Sequence, residues 1–223
     1  VPFKSSLAMG DPSPPFIEEV DPPYWLYSDR LNTSVASGEV NNATGPQLAV
    51  SSRYGLVIYT TPSSIEVANS ESTYSPEGDD APSLRIHLSL QLEQPAHSIY
   101  LSCDELSIAC LLDDKATILI YSLVDGAVIA KSRIQGIVAF AFSKSIPDRA
   151  AVVTEDSLLV IDTNTLTTLA KTEIEAKFVD WIPEDARKLA TVDLAGSLTV
   201  FTWNGNNDFN GKIKFDAPTY ENP

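Results

Sequence analysis

His97-Ser-Ile-Tyr-Leu-Ser-Cys-Asp-Glu-Leu-Ser-Ile-Ala-Cys-Leu-Leu-Asp-Asp-Lys-Ala-Thr-Ile-Leu-Ile-Tyr121 is the stretch whose reading decides the fold. Three short apolar runs, Ser98–Ser102, Leu106–Leu112 and Thr117–Tyr121, are cut by acidic turns at Asp104-Glu105 and Asp113-Asp114-Lys115. Runs of this length, rich in Ile, Leu and Tyr between charged punctuation, predict antiparallel strands. Their alternation is poor. Ile99 and Leu101 point one way and Tyr100 the other, while Leu106, Ile108, Cys110 and Leu112 oppose Ala109 and Leu111. A strand apolar on both faces must be covered on both faces. A fourth run, Ala127–Ser132, follows a turn at Asp125-Gly126. A four-stranded meander sandwiched between similar meanders is a β-propeller blade.

The same pattern recurs on either side. Upstream, Leu48–Ser51, Leu56–Thr60, Ser64–Ala68 and Leu84–Leu92 predict a first blade, with a long exposed loop across Asn69–Ser83. Downstream, Ile137–Phe142, Ala150–Thr154, Ser157–Asp162 and Thr167–Glu173 make a third, and Phe178–Ile182, Lys188–Asp193, Ser197–Trp203 and Lys212–Phe215 a fourth. Ile99, Val138 and Phe178 serve as equivalent first-strand positions, about 40 residues apart. The expected fold is therefore all-β, a propeller of four-stranded antiparallel blades over 47–92, 97–132, 136–175 and 177–215. Most propellers carry more than four blades. The reading thus expects part of a seven-bladed ring, with an uncovered apolar face on the fourth blade that includes some of Val192, Leu198, Val200 and Phe201. Residues 1–44, punctuated by Pro2, Pro12, Pro14, Pro15, Pro22 and Pro23, read as an irregular arm and linker preceding the blades at 45–223.

Composition narrows the function. The 223 residues carry 30 acidic and 15 basic side chains, a net charge of −15. Direct nucleic-acid binding needs a basic surface and is not expected. No apolar run approaches the roughly 20 residues needed to span a bilayer. Cys103 and Cys110, in one hairpin, would lie roughly 13 Å apart along a strand, beyond the roughly 7 Å reach of a disulfide. They read as buried free thiols.

Catalysis finds little support. His87 and His97 flank strands, but no Gly-x-Ser-x-Gly elbow accompanies them. No Cys/His cluster offers a zinc site, no acidic run has calcium-loop spacing and no Gly-rich phosphate loop follows a strand. The expectation is a binding module without cofactor or metal. In a four-stranded meander the loop between the second and third strands shares a rim with the connection to the next blade. That rim collects Asp113 and Asp114, Glu155 and Asp156, and Asp193 from three consecutive blades. The opposite rim takes Asp104, Glu105, Glu184 and Asp185. Turns are polar in any soluble fold; the sharper expectation is that the first set docks a basic protein.

Several segments resemble the nucleoporin 214 / nucleoporin 159 family. Leu48-Ala49-Val50-Ser51-Ser52-Arg53-Tyr54-Gly55-Leu56-Val57 is similar to its first-blade Leu-Ala-Val-Ser-Asn-x-Tyr-Gly-Leu-Val, with Ser52 in place of the family Asn. Leu101-Ser102-Cys103-Asp104-Glu105-Leu106 resembles its second-blade Leu-Ser-Cys-Asp. Val179-Asp180-Trp181-Ile182-Pro183 resembles its Val-Cys-Trp-Ser-Pro, and Ala217–Glu221 its Pro-rich strip before a fifth blade. The resemblance implies a seven-bladed propeller at the cytoplasmic face of the nuclear pore. There it would sit among other nucleoporins and use acidic loops to recruit a DEAD-box RNA helicase for mRNA export. The family's Phe-Gly repeats do not occur here. The alternative is a generic propeller scaffold of the ubiquitin-ligase adaptor or coat-complex type.

Overall fold

In a computed structural model of the chain, the described residues are 47–69, 85–183, 185–205 and 207–216. They form sixteen strands in four sheets of four, each an antiparallel meander in chain order. Blade one holds β1 (Leu48–Ser51), β2 (Leu56–Thr60), β3 (Ser64–Asn69) and β4 (Arg85–Gln91). Blade two holds β5 (Ala96–Leu101), β6 (Ser107–Leu112), β7 (Thr117–Ser122) and β8 (Val128–Arg133). Blade three holds β9 (Ile137–Phe142), β10 (Arg149–Thr154), β11 (Ser157–Asp162) and β12 (Thr168–Glu173). Blade four holds β13 (Phe178–Trp181), β14 (Lys188–Val192), β15 (Leu198–Trp203) and β16 (Phe209–Phe215). The first strands β1, β5, β9 and β13 neighbour one another in that order.

Blades two and three are apolar on both faces because they are packed on both. Ile99, Ile108, Cys110 and Leu112 face Ile58, Ile65, Val67 and Leu90 of blade one. On the reverse side Ala109, Leu111, Ile118 and Ile120 meet Phe140, Val152 and Ile161 of blade three. Blade three then presents Ala151, Val153 and Val160 to Trp181, Leu189 and Phe201 of blade four. The face a blade turns to its predecessor is its leading face, and the other is its trailing face. Pleated alternation assigns every residue to one or the other. At about 25 cal/mol per Å² of apolar area, these three interfaces supply the main driving force for folding.

The expected strands are observed to within about two residues, except that β16 begins at Phe209 and shortens the preceding turn to Asn204–Asp208. The equivalence of Ile99, Val138 and Phe178 is corrected by the pairing register. Ile99 pairs with Cys110, Phe140 with Val152 and Val179 with Thr191, so Ile99, Phe140 and Val179 are the true counterparts. Bulges in the first-strand pairings of blades two and three shift the count by a residue or two. Of Val192, Leu198, Val200 and Phe201, Phe201 is buried against blade three, on the leading face of blade four, and the other three lie on its trailing face. The arm expected over 1–44, the loop expected beyond Asn69 (itself the last residue of β3), Glu184 and the Ala217–Glu221 segment lie outside the described residues.

Candidate functional site

The turns between second and third strands bring Asp113 and Asp114 (β6–β7), Glu155 and Asp156 (β10–β11) and Asp193 (β14–β15) to one rim. The interblade connections run beside them: Ile134 N donates to Ala116 O at 2.7 Å, and Ile137 N to Lys115 O at 3.0 Å. Asp113, Asp114, Glu155 and Asp156 are exposed and Asp193 is half-buried.

Their carboxylates have two kinds of occupation. Asp114 Oδ1 accepts the N–H of Ala116 at 2.9 Å and of Thr117 at 2.8 Å, and its Oδ2 accepts the Thr117 hydroxyl at 2.7 Å. Asp156 Oδ1 accepts the hydroxyls of Thr154 and Ser157, at 2.9 and 2.7 Å. Asp193 Oδ1 accepts Ser197 N at 2.8 Å, with Lys214 Nζ 3.9 Å from Oδ2. These three close the turns they sit in, the usual work of Asp at such positions. Burial pushes the Asp114 carboxyl up, but its Thr117 and Ala116 donors outweigh that and hold it below the ordinary range. Asp113 and Glu155 are less committed. Asp113 lies 3.8 Å from Nδ1 of the buried His97. Glu155 lies alongside Gly136, whose positive φ of 66° turns the chain into blade three.

The opposite rim uses carboxylates in the same way. Asp104 Oδ1 accepts Ser102 Oγ at 2.6 Å and Leu106 N at 3.1 Å. Asp185 takes Arg187 N at 3.1 Å and pairs with Lys188 at 2.9 Å. Glu105 instead reaches out of its own blade. Its φ of 61° aims the side chain at blade one, where Oε2 accepts Ser51 Oγ at 2.6 Å and Arg53 N at 2.9 Å. Gln47 ties the other end of β1 to blade two, its Nε2 donating to His97 O at 2.6 Å. Sequence reasoning placed Glu105 on a rim and missed this strap. The left-handed turn that directs it has no signature in a non-glycine residue.

A second feature was not anticipated. A trough of about 380 Å³ runs along the first strands of blades two to four, lined by Tyr100, Phe140, Phe142 and Val179. Lys144 and Asp180 pair at 3.1 Å on its wall, joining blades three and four. Trp181 Nε1 donates to Ala141 O at 3.1 Å within the same joint, buried.

Among the described residues, no three His, Cys, Asp or Glu gather closely enough to hold a metal. No described helix is long and apolar enough to cross a membrane. Cys103 and Cys110 are both free. Cys110 is buried as expected, whereas Cys103 at the turn is half-exposed.

The meander order, stacked sheets and neighbouring first strands decide the architecture. The chain folds as β-propeller blades. Solved structures agree. Kluyveromyces lactis Hsv2, a propeller protein, matches with a TM-score of 0.55 at 14% identity, over 74% of this chain and 60% of that one. Kluyveromyces marxianus Hsv2 matches with a TM-score of 0.51 at 15% identity, over 70% and 52%. A chain of a mitotic checkpoint complex matches with a TM-score of 0.55 at 9% identity, over 71% and 49%. At such identities the likeness is one of fold. The chain spans about half to three-fifths of the length of these proteins. No protein-family profile and no curated protein sequence matches it.

Proposed function

We propose that this chain is a non-enzymatic protein-interaction scaffold whose acidic loop rim docks a partner with a basic surface. The observation that carries this is the recurrence of carboxylates in the same loop of three consecutive blades, above an interior given over to packing. Propeller-fold neighbours support the scaffold reading. Exposed ion pairs contribute only about 0.2–1 kcal/mol each, so the rim steers encounter and fixes orientation more than it sets residence time.

A finer reading is favoured by the resemblance: a docking module among other nucleoporins at the cytoplasmic face of the nuclear pore, recruiting a DEAD-box helicase for mRNA export. Two of the resembling segments, Leu48–Val57 and Leu101–Leu106, supply Ser51, Arg53 and Glu105 to the joint between blades one and two. They speak for a shared architecture. The rim speaks for the sign of the partner's charge.

Reversing Asp113 and Glu155 to Lys tests the proposal, because neither carboxylate closes its own turn. The control is Asp208→Lys on the opposite rim, between β15 and β16. With unchanged melting temperatures, capture of a purified mRNA-export DEAD-box helicase should fall at least tenfold for the double variant and stay near wild type for the control. Equal losses would reduce the rim to non-specific acidity. Wild-type capture of other basic partners without the helicase would leave the generic scaffold and remove the pore reading.

A further inference from the structure

The joints between blades repeat one another position by position until the third. In blade two, Ile99, Cys110, Leu119 and Lys131 pair across the sheet as one row on the leading face. Phe140, Val152, Leu159 and Lys171 form the same row in blade three. Blade four has Val179, Thr191, Thr199 and Lys214 there. Two threonines thus stand where the first two joints bury Cys110 and Leu119, or Val152 and Leu159, against the preceding blade. The outer lysine is kept in all three. At this place the third joint holds a cavity of about 150 Å³, beside the rim that carries Asp193. One wall is Ile174 and Glu175, in the connection between the two blades, and the other is blade four as far down as Phe201. Both walls lie within the described residues, on the side of blade four that faces blade three.

Thr191 is only 3% exposed, and neither threonine hydroxyl has a hydrogen-bond partner among the described residues. A hydroxyl buried without a partner is costly, so the pair calls for a polar occupant. The mouth of the cavity supplies both signs of charge. Lys212 Nζ lies 5.6 Å from the centre of the Phe201 ring. Neither Lys212 nor Glu175 has an ion-pair partner among the described residues. Lys214 and Asp193 face each other at 3.9 Å, a long pair that leaves each able to take a further partner. A purely anionic ligand would meet Glu175 and Asp193, and a purely cationic one Lys212 and Lys214. A ligand carrying both charges finds a partner for each. We infer that this cavity binds a small zwitterion with neighbouring carboxylate and ammonium groups, the chemistry of a free α-amino acid. Its carboxylate accepts from Lys212 and the threonine hydroxyls, and its ammonium donates to Glu175 and Asp193. The volume equals about five waters at roughly 30 Å³ each, room for an amino acid with a small side chain.

The experiment is methyl NMR of Thr191 and Thr199 in the 223-residue chain, without any docking partner. The probes are glycine, L-alanine and L-serine, with acetate and methylammonium as single-charge controls. At least one amino acid should shift both methyls with a dissociation constant of about 1 mM or tighter. It should bind at least tenfold more tightly than either control, because a site built for two charges leaves one unmatched by each. Thr199→Leu restores the side chain of Leu119 and Leu159, and should abolish binding without lowering the melting temperature. Glu175→Gln and Lys212→Gln should each weaken amino-acid binding at least tenfold. Both positions are exposed, so neither change threatens folding. No shift with any amino acid would overturn the inference and leave a water-filled cavity. Acetate binding as tightly as the amino acids would make it an anion site, and methylammonium doing so a cation site; either overturns the inference. So would undiminished binding in Thr199→Leu, which would place the ligand elsewhere.

Discussion

Glu105, in the first turn of blade two, accepts a 2.6 Å hydrogen bond from Ser51 at the end of the first strand of blade one. Ser51 is fully buried, and its hydroxyl also accepts Tyr54 N at 3.1 Å, so one side chain closes its own turn and anchors the next blade. Arg53 N adds a second donor to the same carboxylate oxygen. Glu105→Ala should therefore speed hydrogen exchange at the Arg53 amide and lower the melting temperature, while exchange in β9–β12 stays unchanged. Uniform exchange across all blades would show that the strap adds nothing local.

The acidic turns give stability a pH dependence of predictable sign. The Ser51 hydroxyl and the Arg53 N–H hold Glu105 below its ordinary value, and side-chain donors do the same for Asp125, Asp156 and Asp185. A depressed carboxyl pKa favours the folded state above its unfolded value and loses that contribution as pH falls through the folded value. Burial, and then Lys115, push His97 down against a smaller opposing pull from Asp113. A lowered histidine costs stability as pH falls below its ordinary 6.5. Urea midpoints should thus be flat between about pH 7 and 8, dip slightly below 6.5 and drop steeply below about 4. His97→Gln should remove the first dip and leave the second.

Rim carboxylates should divide by role. Asp114→Ala removes the acceptor for two backbone N–H groups and a hydroxyl, and should cost about 1 kcal/mol in equilibrium unfolding. Asp113→Ala and Glu155→Ala should leave stability within about 0.5 kcal/mol, as for ordinary surface changes. Equal costs at all three positions would contradict the division between carboxylates that close their own turn and those that do not.

The interblade cores should respond as close-packed interiors do. Ile108 is fully buried where blades one and two meet, and Ile108→Ala should cost about 2–5 kcal/mol. Trp181→Phe deletes a buried hydrogen bond to Ala141 O and should cost about 1 kcal/mol beyond any packing loss. The free thiols offer a further check. Burial pushes Cys110 up to about 12, so a thiol reagent at pH 8 should label Cys103 first and Cys110 only on unfolding.

The blades were legible because their punctuation is local. Asp104-Glu105, Asp113-Asp114 and Asp125-Gly126 each close a turn through side-chain and backbone bonds within a few residues. Two-sided apolarity in β6 and β7 announced that the sheets stack. Register was less readable: Ile99 and Phe140 correspond through bulges that no residue type marks. The rim could be assembled from topology alone. Its division into Asp114, Asp156 and Asp193 against Asp113 and Glu155 needed side-chain positions. So did the strap from Glu105 to Ser51, which joins residues 54 apart in the chain.

The association rate with a purified mRNA-export DEAD-box helicase, measured by stopped-flow between 50 and about 500 mM salt, tests the central claim most directly. An acidic rim steering a basic surface predicts a rate that falls at least tenfold over this range, with a dissociation rate that changes little. Asp113→Lys with Glu155→Lys should flatten the dependence, and Asp208→Lys should not. A salt-independent association rate, or equal flattening from both rims, would contradict docking at the Asp113–Glu155 rim.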